Sequence, residues 1–170
     1  MPFKIRDATP DDVEALARRH VQTFNETHGA GRAGGPSYDL RERQWREAFA
    51  RDDQPGFCLV VEDRTGQLIG FAKGTRHDGG VPGFAGELNK IYVLRSFHRQ
   101  GVGRLLLCNV ARRFLRQGIT SMLLFGEATS PSNGFYEAFR AERLYNDRGG
   151  FDGGYGWRDL HTLATICEQT

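Results

Sequence analysis

Cysteine is scarce in this chain. Three are present, Cys58, Cys108 and Cys167, none in a CxxC pair, and no Cys/His spacing fits zinc. A scattered, odd set predicts reduced thiols and a reducing cytoplasm. Cys108 falls within an apolar run and reads as a buried, inert thiol. His20, His28, His77 and His161 share no ligand spacing, so no metal is predicted. An excess of one charge is also missing. Lys and Arg number 23 against 21 Asp and Glu, a net +2, which excludes the basic surface that nucleic acid or an anionic membrane would require. No apolar run approaches the roughly 18–20 residues of a membrane span. The opening MPFKIRDATPDDVEAL lacks the apolar core of a secretory signal. Repeats, linkers and low-complexity tracts are absent too, so 170 residues predict one domain, 1–170.

What is present reads as alternating strands and helices. FKIR (3–6) predicts a strand. Thr9 is a candidate N-cap, Pro10 suits the first helical position, and Asp11 and Asp12 suit the helix dipole. Val13, Leu16, Ala17 and Phe24 recur at helical spacing, predicting a helix to about 28. The breaker-rich 29–37 predicts a loop. A second helix is predicted over 38–51, with Leu40, Trp45 and Phe49 as buried candidates. A hairpin follows, 57–63 and 68–76 about Arg64-Thr65-Gly66. HDGGVPGFAG (77–86) is too rich in Gly and Pro for any element. ELNKIYVL (87–94) predicts a strand. Its apolar parity slips between Leu88 and Ile91, which fits either a β-bulge near Asn89 and Lys90 or a strand buried on both faces. A helix over 101–117 would bury Val102, Leu105, Leu106, Val110 and Phe114 and turn Arg104, Arg112, Arg113 and Arg116 outward. A strand (120–127), a helix (131–140) and two closing ribbons (142–147, 151–160) complete a mixed α/β sheet, mostly antiparallel, flanked by helices.

HRQGVGRLLL (98–107) places two glycines directly before a helix. A Walker A loop requires GxxxxGK[ST], and the Lys and Ser/Thr are absent. A dinucleotide fingerprint requires a third glycine where Leu106 stands, and it follows its strand directly, whereas RSFHRQ intervenes here. Glu127, the candidate ribose acid, lies 26 residues beyond Gly101, farther than the usual ~20. Two readings are left. One is a pyrophosphate held on the unpaired N–H groups of the helix start, with Arg99 and Arg104 adding charge-assisted contacts. The other is a solvated turn.

ELNKIYVLRSFHRQGVGRLL resembles motif A of the GCN5-related N-acetyltransferases, the GNAT superfamily, in which Q/R-x-x-G-x-G/A follows a strand. IRDATPDD (5–12) is similar to that family's opening strand and helix, SNGFYEAF (132–139) to its N-x-x-F/Y-Y segment, and GYGWRDL (154–160) to its closing strand. The resemblance covers 3–160. Two positions depart from it. His98 stands where Gln or Arg is usual. Arg140 stands where a glycine is common, predicting a different turn there.

The resemblance implies an N-acetyltransferase that moves the acetyl group of acetyl-CoA to a primary amine of a small molecule or peptide. It implies that His98, Arg99, Gln100, Gly101, Val102, Gly103 and Arg104 hold the pyrophosphate, and that Ile91, Tyr92 and Val93 pair with the pantetheine arm. A bulge there would free a backbone N–H for the thioester oxygen, a donor typically worth about 3 kcal/mol. Glu87 is the implied base; otherwise it is a strand-end glutamate paired with Lys90 or Arg95. Tyr136 is the implied acid: a phenol near pKa ~10 can protonate a departing thiolate. Otherwise it is a packed aromatic. Phe135 and Phe139 at core spacing would direct Tyr136 elsewhere. Asn133, one helical turn earlier, either bonds the pantetheine or caps the helix. A non-catalytic acyl-CoA sensor is the alternative on the same fold, and a nucleotide-dependent oxidoreductase the alternative of another class. Phe24, Asn25, His28 and Tyr38, with 77–86 as a lid, are the predicted acceptor wall; a homodimer is compatible with the sequence.

Overall fold

The computed structural model describes residues 2–29, 37–51 and 56–169. The predicted loop 29–37 therefore falls almost entirely outside the described residues. In chain order the elements are β1 (Lys4–Asp7), α1 (Val13–His28), α2 (Tyr38–Ala50), β2 (Phe57–Glu62), β3 (Leu68–Arg76), β4 (Gly86–Val93), α3 (Val102–Arg116), β5 (Met122–Leu124), α4 (Asn133–Ala138), β6 (Glu142–Tyr145), β7 (Phe151–Trp157) and α5 (Leu160–Glu168). The strand order is β1-β2-β3-β4-β5-β7-β6. It is mixed: β4 and β5 are parallel, whereas β1–β2, β5–β7 and β6–β7 are antiparallel. The chain forms two compact units, Met1–Lys73 with Lys90–Leu107, and Gly74–Asn89 with Cys108–Thr170.

In the first unit the helix start is built as its residues suggest. Pro10 opens a 3-10 turn, and the Thr9 backbone N–H donates to Asp12 Oδ2 at 2.8 Å. Arg6 forks across Asp12 at 2.8 and 2.9 Å and reaches Glu62 Oε1 at 2.7 Å, which ties β1, the start of α1 and β2 together. The guanidinium holds the Asp12 carboxyl below its ordinary range. Val13, Leu16 and Ala17 of α1 bury against Trp45, Val60, Leu68 and Phe71. Of the buried candidates in α2, Trp45 is in the core and Phe49 is partly buried, but Leu40 is 39% exposed. It lies in the first turn of α2, where Ser37 caps its N–H at 3.2 Å.

The second unit differs from expectation in three places, and its tail forms an element that the sequence reading does not assign. The strand expected over 120–127 is only Met122–Leu124. Gly126 N–H turns off to donate to Gly153 C=O at 3.1 Å. The two backbones approach so closely that a Cβ on Gly153, at φ +104°, would lie 2.4 Å from the carbonyl carbon of Glu127. The tail also forms a helix: Asp159 caps α5 through His161 N–H, and Leu160, Leu163 and Cys167 turn inward. Cys108 is no free thiol. It is bonded to Cys167, with Cα atoms 5.8 Å apart, because α3 and α5 bring together two cysteines that are distant in sequence. Finally, Arg140 does not change the turn after α4. It adopts φ +63° itself, while its N–H bonds Glu137 C=O and that of Ala141 bonds Tyr136 C=O at 3.1 Å. This is the Schellman closure that usually takes glycine.

Candidate active site

The first unit carries the glycine loop. The α3 ladder starts with Leu105 N–H donating to Gly101 C=O at 3.0 Å, so the N–H groups of Gly101, Val102 and Gly103 precede its first rung. Gly101 is exposed at φ +86°, and a Cβ there would meet nothing within 4 Å. Arg99 takes φ +63°, a conformation that an arginine adopts only at a cost. The loop therefore presents a helix N-terminus, open space and the exposed Arg99 with the half-buried Arg104 beside it. That donor set suits a polyanion. Two motif side chains do other work. His98 Nε2 meets Val93 C=O at 2.9 Å, and Gln100 Nε2 donates to Ser96 C=O at 3.1 Å. Both brace the loop against its own preceding segment.

β4 carries an extra residue. His77 N–H bonds Ala85 C=O, and Leu94 N–H bonds Ile69 C=O, both at 2.9 Å. Between these bonds the β3 side runs from 69 to 77 and the β4 side from 85 to 94, one residue longer. One extra residue between hairpin partners is a bulge. Side-chain burial alternates from Gly86 to Asn89 and the alternation ends at Lys90. Beyond the bulge Leu94 faces β3, so by alternation the backbone polar groups of Ile91 and Val93 face the opposite edge. Tyr92 faces β3 instead, and its ring packs against His20 and Phe71, each at 5.6 Å.

In the second unit Glu87 pairs in register with Leu123, and Leu123 with Gly156. Residues in one cross-strand row share a face. Glu87 Oε2 accepts from Asn89 Nδ2 at 3.1 Å, and Oε1 faces His77 Nδ1 at 3.5 Å. Tyr136 is half-buried, its ring 5.5 Å from Tyr155 and 6.4 Å from Trp157. Those two residues flank Gly156, so they occupy the other face. Trp157 Nε1 donates to Phe139 C=O at 2.9 Å, which fixes the end of α4 on that side. Tyr136 thus packs on β7 rather than projecting away from it, and Phe135 is half-buried while Phe139 is in the core. Glu87 and Tyr136 belong to opposite faces of this part of the sheet. Asn133 Nδ2 donates to the carbonyls of Glu127 and Ala128 at 3.1 and 3.0 Å, and its Oδ1 is buried with no partner. Ser132, not Asn133, is the N-cap of α4.

In the sequence, His77 reads as a histidine without ligand spacing and as the first residue of a lid, with no link to Glu87. It is ten positions from Glu87, and only the β3–β4 hairpin brings the two together. Other titratable groups are structural. His20 is 2% exposed, accepts from Trp45 Nε1 at 3.2 Å, and burial drives its pKa down to about 3. Burial pushes the Cys58 thiol up to about 12, so it stays protonated. Among the described residues, no three or more His, Cys, Asp or Glu side chains are grouped to hold a metal, and no helix is long and apolar enough to cross a membrane.

Residues 19–140 match the model of the acetyltransferase (GNAT) family. YuaI of Bacillus subtilis strain 168, described as an uncharacterized N-acetyltransferase, is 30% identical over 175 residues, which cover 97% of this chain and 98% of YuaI. The fold resembles that of PaiA N-acetyltransferase from Thermoplasma acidophilum in complex with coenzyme A. The TM-score is 0.68 at 18% identity, covering 92% of this chain and 98% of that one. It also resembles an N-acetyltransferase from Staphylococcus aureus Mu50, with TM-score 0.69, 20% identity and coverage of 94% and 99%.

Proposed function

The chain belongs to the acetyltransferase (GNAT) family and is an acetyltransferase using acetyl-CoA, and from that premise we propose that its acceptor is the primary amine of a small molecule or peptide. The observation that carries the donor half is the α3 start, where the backbone N–H groups of residues 101–104 precede the first helical rung and Gly101 leaves open space. The residues present fit a pyrophosphate. Gly101, Val102 and Gly103 donate to it, Arg99 and Arg104 neutralise its charge, and His98 and Gln100 keep the loop in shape. Ile91 offers its backbone groups, and Val93 its N–H, to the pantetheine amides, the Val93 C=O being taken by His98. Tyr92 supports that edge from the core, and Asn133 supports the loop before α4.

Acetyl-CoA supplies an acetyl group activated as a thioester. An amine attacks only when neutral, so Glu87 takes one proton from the ammonium and passes it to solvent. The Tyr136 hydroxyl gives a proton to the departing thiolate and regains one as the acylated nitrogen loses its own. The balance is ammonium plus thioester giving amide, thiol and one proton.

Calorimetry and a thiol-release assay test the reading. The amines are benzylamine, 1,4-diaminobutane and an alanyl peptide. Acetyl-CoA is expected to bind and NAD not to bind. Gly103→Glu is expected to weaken acetyl-CoA by about 100-fold, ~3 kcal/mol, because it places a carboxylate where phosphate belongs. Unchanged affinity in that variant removes the pyrophosphate assignment. Binding without thiol release from any amine leaves an acyl-CoA sensor instead.

A further inference from the structure

We propose that His77 is the positioning residue for Glu87, holding its carboxylate in the orientation that takes the acceptor's proton. The inference rests on Glu87 being the base. The geometry begins behind the imidazole. The backbone N–H of Val81 donates to His77 Nε2 at 3.4 Å. A nitrogen that accepts carries no proton, so the ring's proton resides on Nδ1. Nδ1 is the atom that faces Glu87 Oε1 at 3.5 Å. The backbone of His77 is itself pinned, since its N–H bonds Ala85 C=O at 2.9 Å. The ring is thus fixed at both ends by the hairpin that also begins β4.

The chemistry of the donors matters as much as their position. Asn89 Nδ2 holds Oε2 at 3.1 Å while His77 addresses Oε1. Each carboxylate oxygen has about two lone-pair positions, and Asn89 takes one of them on Oε2, so positions are left for an incoming ammonium or water. Neither donor is an arginine or a lysine, whose permanent charge would lock the carboxylate in an ion pair. The side chains of His77 and Glu87 are 10% and 20% exposed, so bulk water does not set the carboxylate's orientation. The remaining neighbour of the His77 ring is Phe125, 6.1 Å away between ring centroids and itself 59% exposed. Among the described residues, the ionisable side chain facing His77 is Glu87, and the polar side chains facing Glu87 are His77 and Asn89. A wall of one carboxylate and one open aromatic ring, Phe125, fits a cationic amine.

The test compares His77→Phe, His77→Asn, Glu87→Gln and the double variant His77→Phe/Glu87→Gln. It reads pH–rate profiles of thiol release from acetyl-CoA with benzylamine, together with acetyl-CoA affinity and thermal melts. His77→Phe is expected to lower kcat/KM about tenfold, less than the ~10²–10⁴ of losing a general base outright, and to displace the acidic limb of the profile while acetyl-CoA affinity stays unchanged. His77→Asn keeps an N–H near the Nδ1 position and is expected to restore most of the rate. In the Glu87→Gln background His77→Phe is expected to cost nothing further. A wild-type profile for His77→Phe, or losses that multiply in the double variant, overturns the inference. A wild-type profile for Glu87→Gln overturns the base assignment instead. Histidine-ring 15N NMR provides an arm that needs no acceptor. It is expected to show the Nδ1–H tautomer, with Glu87→Gln perturbing the Nδ1 resonance more than Nε2. The Nε2–H tautomer also overturns the inference.

Discussion

His20 shows how one buried side chain makes stability depend on pH. Its ring is enclosed by Trp45, Phe71 and Tyr92, and burial, with the positive charges of Arg41, Lys90 and Lys73, lowers its pKa from 6.5 to about 3. The folded chain therefore refuses a proton that the unfolded chain accepts below 6.5. This contribution to stability is complete above that value and is lost progressively as pH falls toward 3. Between pH 7 and pH 5 the loss is about 2 kcal/mol. His20→Gln offers Trp45 Nε1 an acceptor without the titration. Urea unfolding at the two pH values is expected to show wild type losing about 2 kcal/mol more than the variant. Equal losses would mean that the imidazole is protonated within the fold. The sequence disclosed that His20 had no ligand spacing, but not that its partner would be Trp45, 25 residues away.

The α4 terminus is the element where backbone conformation and residue type disagree. Arg140 holds φ +63° at the closing position of a Schellman motif, with both of its hydrogen bonds made. A side chain in that conformation costs about 1–2 kcal/mol, partly offset by the lower entropy of a non-glycine residue in the unfolded chain. Arg140→Gly is accordingly expected to raise stability by about 0.5–1 kcal/mol. Chemical denaturation checks it, with Arg140→Ala as the control that keeps the strain. Expecting another turn at Arg140 treated residue preference as decisive, whereas the hydrogen bonds from Arg140 and Ala141 fix the local geometry whichever residue is present. α5 drew no expectation at all. Asp159 and the spacing of Leu160, Leu163 and Cys167 were in the sequence, yet nine residues at the end of a chain carry too little periodicity to stand out beside two strong ribbons.

At the scale of the molecule, the Cys108–Cys167 bond closes a loop with a sequence separation of 59. Constraining a loop of that length restricts the unfolded chain by an amount worth about 4 kcal/mol in the loop-entropy treatment. Reductant is therefore expected to lower the unfolding midpoint of wild type, Cys167→Ser to reproduce that drop, and reductant to add nothing to the variant. Free-thiol titration of the native and unfolded protein checks that the effect comes from this bond. An unchanged midpoint on reduction would show that packing of α3 against α5 suffices alone.

The sequence by itself determined most elements and the donor loop. Helix periodicity, the Thr9–Asp12 start and the pair Gly101 and Gly103 are local, and backbone sterics act over a few residues wherever those residues occur. Parity within β4 pointed to the bulge for the same reason, though two hydrogen bonds to β3 were required to decide between a bulge and a strand buried twice. Tertiary structure alone decided the rest. It joined Cys108 to Cys167, cut the strand at Leu124 because Gly153 admits another backbone, put Tyr136 against β7, and aimed His77 at Glu87. Each of these depends on which strands are neighbours and in what register. Register is set by hydrogen bonds and by burial summed over many residues, and no short stretch of sequence carries that sum.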